Sequence, residues 1–140
     1  MLQKRANMIY QIVMEVRDNE IDMQGVVNNA NYFIYFAHAR HKFIQEQLNI
    51  SFTEMTEKKQ MLFLLASQID FKQSLRPGEI FTVTCELLPV EKRRILFKQE
   101  ILKAQNVVAA SAINTTVCLD GNNRNRPYIP QVITDYLAQT

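Results

Sequence analysis

The feature that most constrains the fold of this chain is a long apolar stretch between residues 29 and 48. Its apolar side chains recur at spacings of three and four, the period of an α-helix, at Tyr32, Phe36, Ala39, Phe43 and Ile44, with Phe33 and Leu48 beside them. A helix over residues 29–48 would be about 30 Å long at 1.5 Å per residue. Because its first three turns carry almost no charge, we expect other parts of the fold to enclose it.

Strand patterns lie on both sides of this helix. Before it, apolar and polar residues alternate with the period of a strand that has one better-buried face, the apolar set being Met8, Tyr10, Ile12, Met14 and Val16. A polar stretch, Thr53–Gln60, then favours a short helix or a loop. Four strands are predicted after it, at Met61–Lys72, Phe81–Leu87, Ile95–Lys103 and Val107–Leu119.

Short connections between these strands indicate antiparallel neighbours. Arg76-Pro77-Gly78 has the residues of a tight turn, and Glu91–Arg94 and Gln105–Asn106 are short enough to be hairpin connections. A strand, a long central helix and an antiparallel meander give an α+β fold.

Composition limits the classes of protein to which this fold can belong. The chain has 140 residues, enough for one domain, and 47% hydrophobic with 21% charged residues is ordinary for a globular protein. A formal charge of +2 is too small to indicate nucleic-acid binding, and no apolar run is long enough for a transmembrane segment. Met1–Asn7 lead into no signal-peptide core. Cys85 and Cys118 are expected to be buried, reduced thiols, which favours a cytoplasmic location.

A loop before the helix has the residues of a catalytic site. Asp22 lies in a short loop with Gly25, directly before the helix begins, and we expect a carboxylate there at neutral pH. The first turn of a helix offers unpaired backbone N–H groups and a partial positive charge. A base and an oxyanion site would therefore lie side by side, with the N–H groups near Asn29 as the donors.

The loop sequence and the order of elements resemble one enzyme family over nearly the whole chain. Asp22, Gly25, Val26-Val27 and the step Ala30-Asn31-Tyr32 match the pattern of hotdog-fold thioesterases of the 4-hydroxybenzoyl-CoA thioesterase type. The segments Arg76-Pro77-Gly78-Glu79 and Arg126-Pro127-Tyr128-Ile129-Pro130 match later features of that family. Glu20 and the run His38-Ala39-Arg40-His41 make the chain most similar to acyl-lipid or methylketone-synthase-2-type thioesterases.

The resemblance implies a fold, an activity and an assembly. It implies a hotdog fold, in which an antiparallel sheet wraps around a long central helix, and hydrolysis of an acyl-CoA or acyl-carrier-protein thioester. Asp22 would be the general base or the nucleophile. Substrate would contact residues of the same loop and helix start: Gly25, Val26, Val27, Asn28 and Tyr32. No cofactor is expected beyond the coenzyme A or phosphopantetheine of the substrate, and members form homodimers or homotetramers with substrate at the subunit interface.

Several of these residues also have purely structural interpretations. Asn28 and Asn29 are both suited to cap the helix, and an Asp in a loop is commonly a turn residue. His38 and His41 lie well inside the helix without an acidic neighbour that would complete a metal site. Most residues that could line an acyl pocket are of types that usually form core: Tyr32, Phe33, Phe36, Leu62, Phe63 and Leu65.

A basic run has three possible interpretations, one of which is simply a solvated hairpin tip. Lys92, Arg93 and Arg94 could hold the phosphates of coenzyme A or contact an acidic carrier protein. Arg124 and Arg126 are weaker candidates for the same role.

Two other functions compete with hydrolysis. A hotdog hydratase or dehydratase would need a histidine near the carboxylate, and residues 22–31 contain none. A non-catalytic acyl-binding module would favour Ala or Asn at position 22, where this chain has Asp.

Overall fold

The structure of the chain is a computed structural model that describes residues 9–139. A six-stranded antiparallel sheet carries one long helix, α1 (Asn29–Gln47), on one face. The strands are β1 (Tyr10–Glu15), β2 (Gln60–Phe71), β3 (Ile80–Leu87), β4 (Ile95–Leu102), β5 (Val108–Asp120) and β6 (Arg126–Tyr128). Two short helices complete the fold, α2 (Phe52–Glu57) and α3 (Gln131–Ala138). The predicted hotdog architecture is confirmed.

The predicted elements agree closely with the observed ones in type and position. The helix predicted over residues 29–48 is α1, and the polar stretch after it contains α2. The strand predicted before the helix is β1, although Met8 lies outside the described residues. The final strand and helix, β6 and α3, were not predicted, because β6 has only three residues and α3 only eight.

The predicted order of strand pairing is wrong for one strand. The sheet runs β1-β3-β4-β5-β2, so only β3, β4 and β5 form a meander. Arg76–Glu79 is a turn, with Gly78 at a φ of 73°, but the strands on its two sides are not neighbours. Instead β2 pairs along β5, from Gln60 opposite Asp120 to Phe71 opposite Ala110. A short, well-formed turn therefore connects strands at two different places in the sheet.

Helix α1 presents one apolar face to the sheet. Its buried residues follow the helical period and pack mainly on β3, β1 and β4: Tyr32, Tyr35, Phe36, Ala39, Arg40, Phe43 and Ile44. The opposite face is open in the single chain, where Phe33 and Ile34 are exposed, so the enclosure expected from the sequence is one-sided. The helix is fixed on the sheet by apolar burial over its whole length.

A buried polar network also joins α1 to the sheet. Gln99 of β4 is fully buried, and its Nε2 donates to the Phe36 carbonyl of α1 at 2.9 Å. Its Oε1 accepts from Arg40 Nη1 at 3.2 Å and from Asn114 Nδ2 at 2.9 Å. Because buried polar groups are costly without partners, this network favours one position of the helix over the strands.

Both cysteines are buried and free, as the sequence predicted. Burial raises the pKa of the Cys118 thiol to about 12 and raises that of Cys85 as well. Both thiols are therefore protonated and unreactive at neutral pH. Within residues 9–139, none of the helices is long and apolar enough to cross a membrane.

Candidate active site

The loop between β1 and α1 is held against the helix by Glu20. Its main-chain carbonyl accepts from the Asn28 N–H at 2.9 Å and from Asn31 Nδ2 at 3.2 Å. Its carboxylate accepts from the Tyr35 hydroxyl at 2.6 Å and from the Arg17 N–H at 2.8 Å. Burial, and secondarily this carboxylate, raise the pKa of Tyr35, so its hydroxyl is a permanent donor. One residue thus ties both ends of the loop to the start of α1.

Asp22 lies in a tight turn inside this loop. Its N–H donates to the Val26 carbonyl at 2.9 Å, and the Gly25 N–H donates to its carbonyl at 3.1 Å. The carboxylate oxygen Oδ1 accepts from the Gln24 N–H at 2.8 Å, which fixes the side chain. Gly25 has a φ of 80°, a conformation that glycine adopts at little cost. The half-buried Asp22 carboxylate is held at the loop surface with one oxygen committed to the turn.

The first turn of α1 has one backbone donor that the helix cap does not satisfy. Asn28 is the N-cap, with Oδ1 accepting from the Ala30 N–H at 2.8 Å, and its carbonyl accepts from the Asn31 N–H at 2.9 Å. Asn29 is the first helical residue, so the prediction that it also caps the helix is wrong. Among residues 9–139 no acceptor is found for the Asn29 N–H. A helix N-terminus with a free N–H attracts negative charge.

A cavity of about 420 Å³ lies between the loop, the first turn of α1 and the segment after β2. Its lining includes many of the predicted site residues and the end of β2: Asp22, Gln24, Val26, Val27, Asn28, Asn29, Tyr32, Phe71, Lys72, Gln73 and Ser74. Asp22 and Asn29 therefore both line the same cavity. We call this space the Asp22 cavity.

The far wall of the Asp22 cavity is joined to the loop and the helix by hydrogen bonds and a ring contact. Tyr32 accepts from the Leu75 N–H at 3.2 Å and donates to the Gln73 carbonyl at 3.3 Å, while the Val27 N–H donates to the Leu75 carbonyl at 2.9 Å. Burial raises the pKa of Tyr32, so this phenol stays neutral. The ring of Phe71 meets that of Tyr32 edge to face at 5.1 Å. These contacts tie helix, loop and the end of β2 into one unit.

The sequence missed this far wall. Phe71, Lys72, Gln73 and Ser74 line the cavity because β2 pairs with β5 and not with β3, and the predicted meander placed that strand elsewhere. The main-chain N–H groups of Lys72 and Gln73 both donate to the Ala109 carbonyl of β5, at 2.8 and 3.0 Å. No local pattern specifies that pairing.

The remaining candidate residues lie elsewhere. Lys92, Arg93 and Arg94 form an exposed turn between β3 and β4, at the end of the sheet opposite the Asp22 cavity. Leu62 lines a separate cavity of about 200 Å³ with Arg40, His41, Phe52, Leu64 and Thr116.

Neither histidine lies in the Asp22 cavity. His38 lines a surface depression with the end of β1, and His41 packs on Phe52 with ring centroids 5.4 Å apart. Burial and the neighbouring Arg40 lower the pKa of His41. In the described part of the chain, no three His, Cys, Asp or Glu side chains are grouped as metal ligands. Of the groups that the sequence singled out for catalysis, the Asp22 cavity holds the carboxylate of Asp22 and the backbone N–H of Asn29, and Lys72 and Ser74 add polar groups to its lining.

Comparison with known proteins assigns the chain to one family. The family model of the thioesterase-like superfamily matches residues 16–137. The chain is 35% identical over 131 residues to the chloroplastic acyl-acyl carrier protein thioesterase ATL2 of Arabidopsis thaliana, an alignment of 92% of this chain and 68% of the relative. It is 33% identical over 127 residues to ATL3 of the same plant, covering 89% of this chain and 64% of the relative. The chain thus spans about two thirds of these plant proteins.

Solved structures agree on the fold. The 1,4-dihydroxy-2-naphthoyl-CoA thioesterase Slr0204 from Synechocystis superposes with a TM-score of 0.83 at 19% identity, over 94% of this chain and 96% of that one.

The capping assignment predicts different effects for two neighbouring asparagines. Asn28→Ala removes the side-chain acceptor of the Ala30 N–H and should lower the free energy of unfolding by about 1 kcal/mol. Asn29→Ala should be neutral or slightly stabilising, because alanine has the higher helix propensity. Urea unfolding of the two variants beside the parent measures both effects. Equal destabilisation by the two changes would contradict the assignment.

Proposed function

The chain belongs to the thioesterase-like superfamily, and we propose that it hydrolyses an acyl thioester of coenzyme A or acyl carrier protein to a free acid and a thiol. The observation that carries this proposal is the Asp22 cavity, whose wall includes both a half-buried carboxylate and the first, unbonded N–H of a long helix. A thioester carbonyl placed between these two groups would have a base on one side and an oxyanion donor on the other.

The start of α1 would stabilise the negative charge that develops on the carbonyl oxygen during the reaction. When water or a carboxylate adds to a thioester carbonyl, negative charge develops on the carbonyl oxygen. The Asn29 N–H, reinforced by the partial positive charge of the α1 N-terminus, would donate to that oxygen. Loss of one such donor typically slows a reaction ~100- to 1,000-fold. The Asn28 cap keeps this end of α1 fixed, so the donor is positioned before substrate binds.

Asp22 would bring about attack on the carbonyl carbon in one of two ways. As a general base it would take a proton from water, whose oxygen then bonds to the carbonyl carbon; collapse of the intermediate expels the thiolate, which takes up a proton. As a nucleophile its carboxylate would attack directly and expel the thiolate, and water would hydrolyse the resulting anhydride. In both cases the Gln24 N–H orients the side chain through Oδ1.

Wall residues of the cavity would hold the acyl thioester in place. Val26, Val27 and Tyr32 give the cavity apolar surface beside Asp22, and exposed Phe71 extends that surface toward the edge of the sheet. Gly25 serves the turn that presents Asp22, since nothing lies within 4 Å of a Cβ built on it and its φ alone favours glycine.

The competing functions have less support. A hydratase would require a proton-transferring histidine beside the carboxylate, whereas His38 and His41 line other surfaces. In a non-catalytic binding module Asp22 would serve only its own turn, through the bond from the Gln24 N–H, whereas hydrolysis also uses its place in the lining of the cavity. ATL2 and ATL3 are named for acyl-carrier-protein thioesters, which favours that carrier for this chain. We propose a cytoplasmic location, since the buried thiols of Cys85 and Cys118 are free.

We further propose that two copies pair through β2. This strand is twelve residues long, forms one edge of the sheet and exposes Phe63, Leu64 and Leu65, so its free N–H and C=O groups can pair with another strand. A two-fold axis would set the second β2 antiparallel, with Gln60 of one copy near Phe71 of the other. A second copy would also cover apolar surface on the open face of α1, beside the Asp22 cavity.

Light scattering at micromolar concentration is expected to report a homodimer or homotetramer. Leu65→Lys, at a site 46% exposed in the single chain, should weaken or abolish assembly while preserving the fold. Val13→Lys is the matched control, because Val13 is 68% exposed on the opposite edge strand, β1. If the parent protein is stable and active as a monomer of 16.3 kDa, the pairing is contradicted.

Replacement of one carboxylate tests the catalytic assignment. Asp22→Asn keeps the size of the side chain and can still accept from the Gln24 N–H, so folding should be spared. Turnover of acyl-CoA and acyl-carrier-protein substrates should fall by ~100- to 10,000-fold, the usual contribution of a general base, or further for a nucleophile. The measurement is release of free thiol under saturating substrate.

Two variants control for side effects of this change. Asp18→Asn makes the same charge change in an exposed turn outside the cavity, and Asn29→Ala keeps the backbone donor. Both should retain most of the rate. A folded Asp22→Asn enzyme with near-normal turnover on its best thioester would refute the role of Asp22.

A further inference from the structure

Three turns at one end of the sheet bring seven basic side chains together, far from the Asp22 cavity. The turns are residues 57–59, 91–94 and 120–126, and their basic residues are all exposed: Lys58, Lys59, Lys92, Arg93, Arg94, Arg124 and Arg126. The Gly121 N–H donates to the Lys59 carbonyl at 2.7 Å, which joins the first turn to the third. Arg93 and Arg126 line one groove of about 370 Å³, which joins the second to the third. We call this surface the basic end.

Four residues of the basic end have a strained backbone conformation. Lys59, Lys92, Arg93 and Arg124 have φ values of 58°, 49°, 61° and 55°, a left-handed conformation that is unfavourable for residues with a Cβ and is normally occupied by Gly, Asn or Asp. Lys92 and Arg93 are the two central residues of a hairpin turn whose preferred sequence is Asn-Gly. Turn geometry does not call for lysine or arginine at these positions. Strain of this kind points to a function of the side chains.

The charge of the basic end is not balanced locally. Its three turns hold only three acidic residues, Glu57, Glu91 and Asp120, against seven basic ones, so it carries +4 while the whole chain carries +2. The ion pairs found among residues 9–139 are Lys98 with Glu86 and Lys103 with Glu79, both outside these turns. An uncompensated patch of this kind attracts an oppositely charged partner.

We propose that the basic end is the docking surface for an acidic carrier protein that delivers the acyl thioester, an inference that rests on the proposed function. The three turns lie at the ends of β3, β4, β5 and β2, so they span three strand spacings, about 14 Å. That width suits the acidic face of a protein. A phosphate group would be held by converging donors in a small site, whereas the seven cations here are exposed and spread over three turns.

A carrier protein docked at the basic end of one copy would deliver its acyl thioester to the Asp22 cavity of the other copy. Asp120 and Ala109 lie at opposite ends of β5, roughly 37 Å apart along the strand at about 3.4 Å per residue. A phosphopantetheine arm cannot extend that far within one chain. Antiparallel pairing of the two β2 strands would set Lys58 and Lys59 of the second copy beside Lys72 and Gln73 of the first, which line its Asp22 cavity. The delivery surface and the reaction site then come from different subunits.

A pair of substitutions at the hairpin separates charge from fold. Lys92→Asn with Arg93→Gly installs the turn's preferred residues, so thermal stability should be unchanged or higher while two charges are lost. Lys42→Gln with Lys98→Gln removes the same charge from exposed positions outside the three turns. The probe is a fluorescently labelled acidic acyl carrier protein carrying phosphopantetheine, and binding is measured by anisotropy at low and at physiological salt.

The proposal predicts that the Lys92→Asn, Arg93→Gly variant raises the Kd for the carrier protein by about tenfold at low salt, while the control pair changes it less than about twofold. Salt should weaken binding by the parent chain and have less effect on the hairpin variant. An unchanged Kd for the hairpin variant, or an equal loss in the control pair, would overturn the proposal. A tenfold weaker Kd for coenzyme A with carrier binding intact would also overturn it, in favour of a nucleotide phosphate site.

Hydrolysis of an acyl-N-acetylcysteamine thioester by the parent chain is measured in parallel. This small substrate has neither a carrier protein nor a nucleotide. Absence of hydrolysis for it, for acyl-CoA thioesters and for acyl-carrier-protein thioesters would refute the proposed function, whereas the binding data alone decide whether the basic end docks the carrier.

Discussion

The arrangement of the site depends on one residue that ties a loop to a helix. Glu20 accepts four hydrogen bonds: its carbonyl accepts from Asn28 and Asn31, and its carboxylate from Tyr35 and Arg17. Three of these donors belong to the N-cap or the first two turns of α1, so the loop cannot move away from the helix without breaking them. The short loop turn that contains Asp22 is held between Glu20 and Asn28. The position of the carboxylate relative to the helix N-terminus is therefore set by folding, before any substrate arrives.

A second constraint is the crossing of β2 to the far side of β5. This crossing sets Phe71–Ser74 opposite the Asp22 loop and closes a cavity that neither element could form alone. It also leaves β2 as a long, apolar edge, which is the basis for the proposed pairing of two copies. The cavity wall, the assembly and the delivery of substrate from a second subunit thus all follow from one non-local pairing of strands.

The sequence predicted those features that depend on local patterns. The period of three and four specified α1, alternation specified the strands, and the residues around Asp22 identified both loop and family. The pairing of β2 with β5 was missed, because a tight turn at Arg76–Glu79 looks the same whether or not its flanking strands are neighbours. The sequence also predicted both Asn28 and Asn29 as caps, which is wrong for Asn29, since either side chain can accept a first-turn N–H and only the backbone angles decide. The left-handed conformation of Lys92 and Arg93 has no sequence signal, because lysine and arginine are not the residues expected there.

The proposed mechanism requires a thioester carbonyl between Asp22 and the first N–H of α1. A crystal structure with a non-hydrolysable ketone analogue of acyl-coenzyme A tests it most directly. We expect the analogue's carbonyl oxygen about 3 Å from the Asn29 nitrogen, at oxyanion-hole distance, with the Asp22 carboxylate facing the carbonyl carbon directly or through one water. A carbonyl bound away from the Asp22 cavity, for example in the cavity beside Arg40, would contradict it.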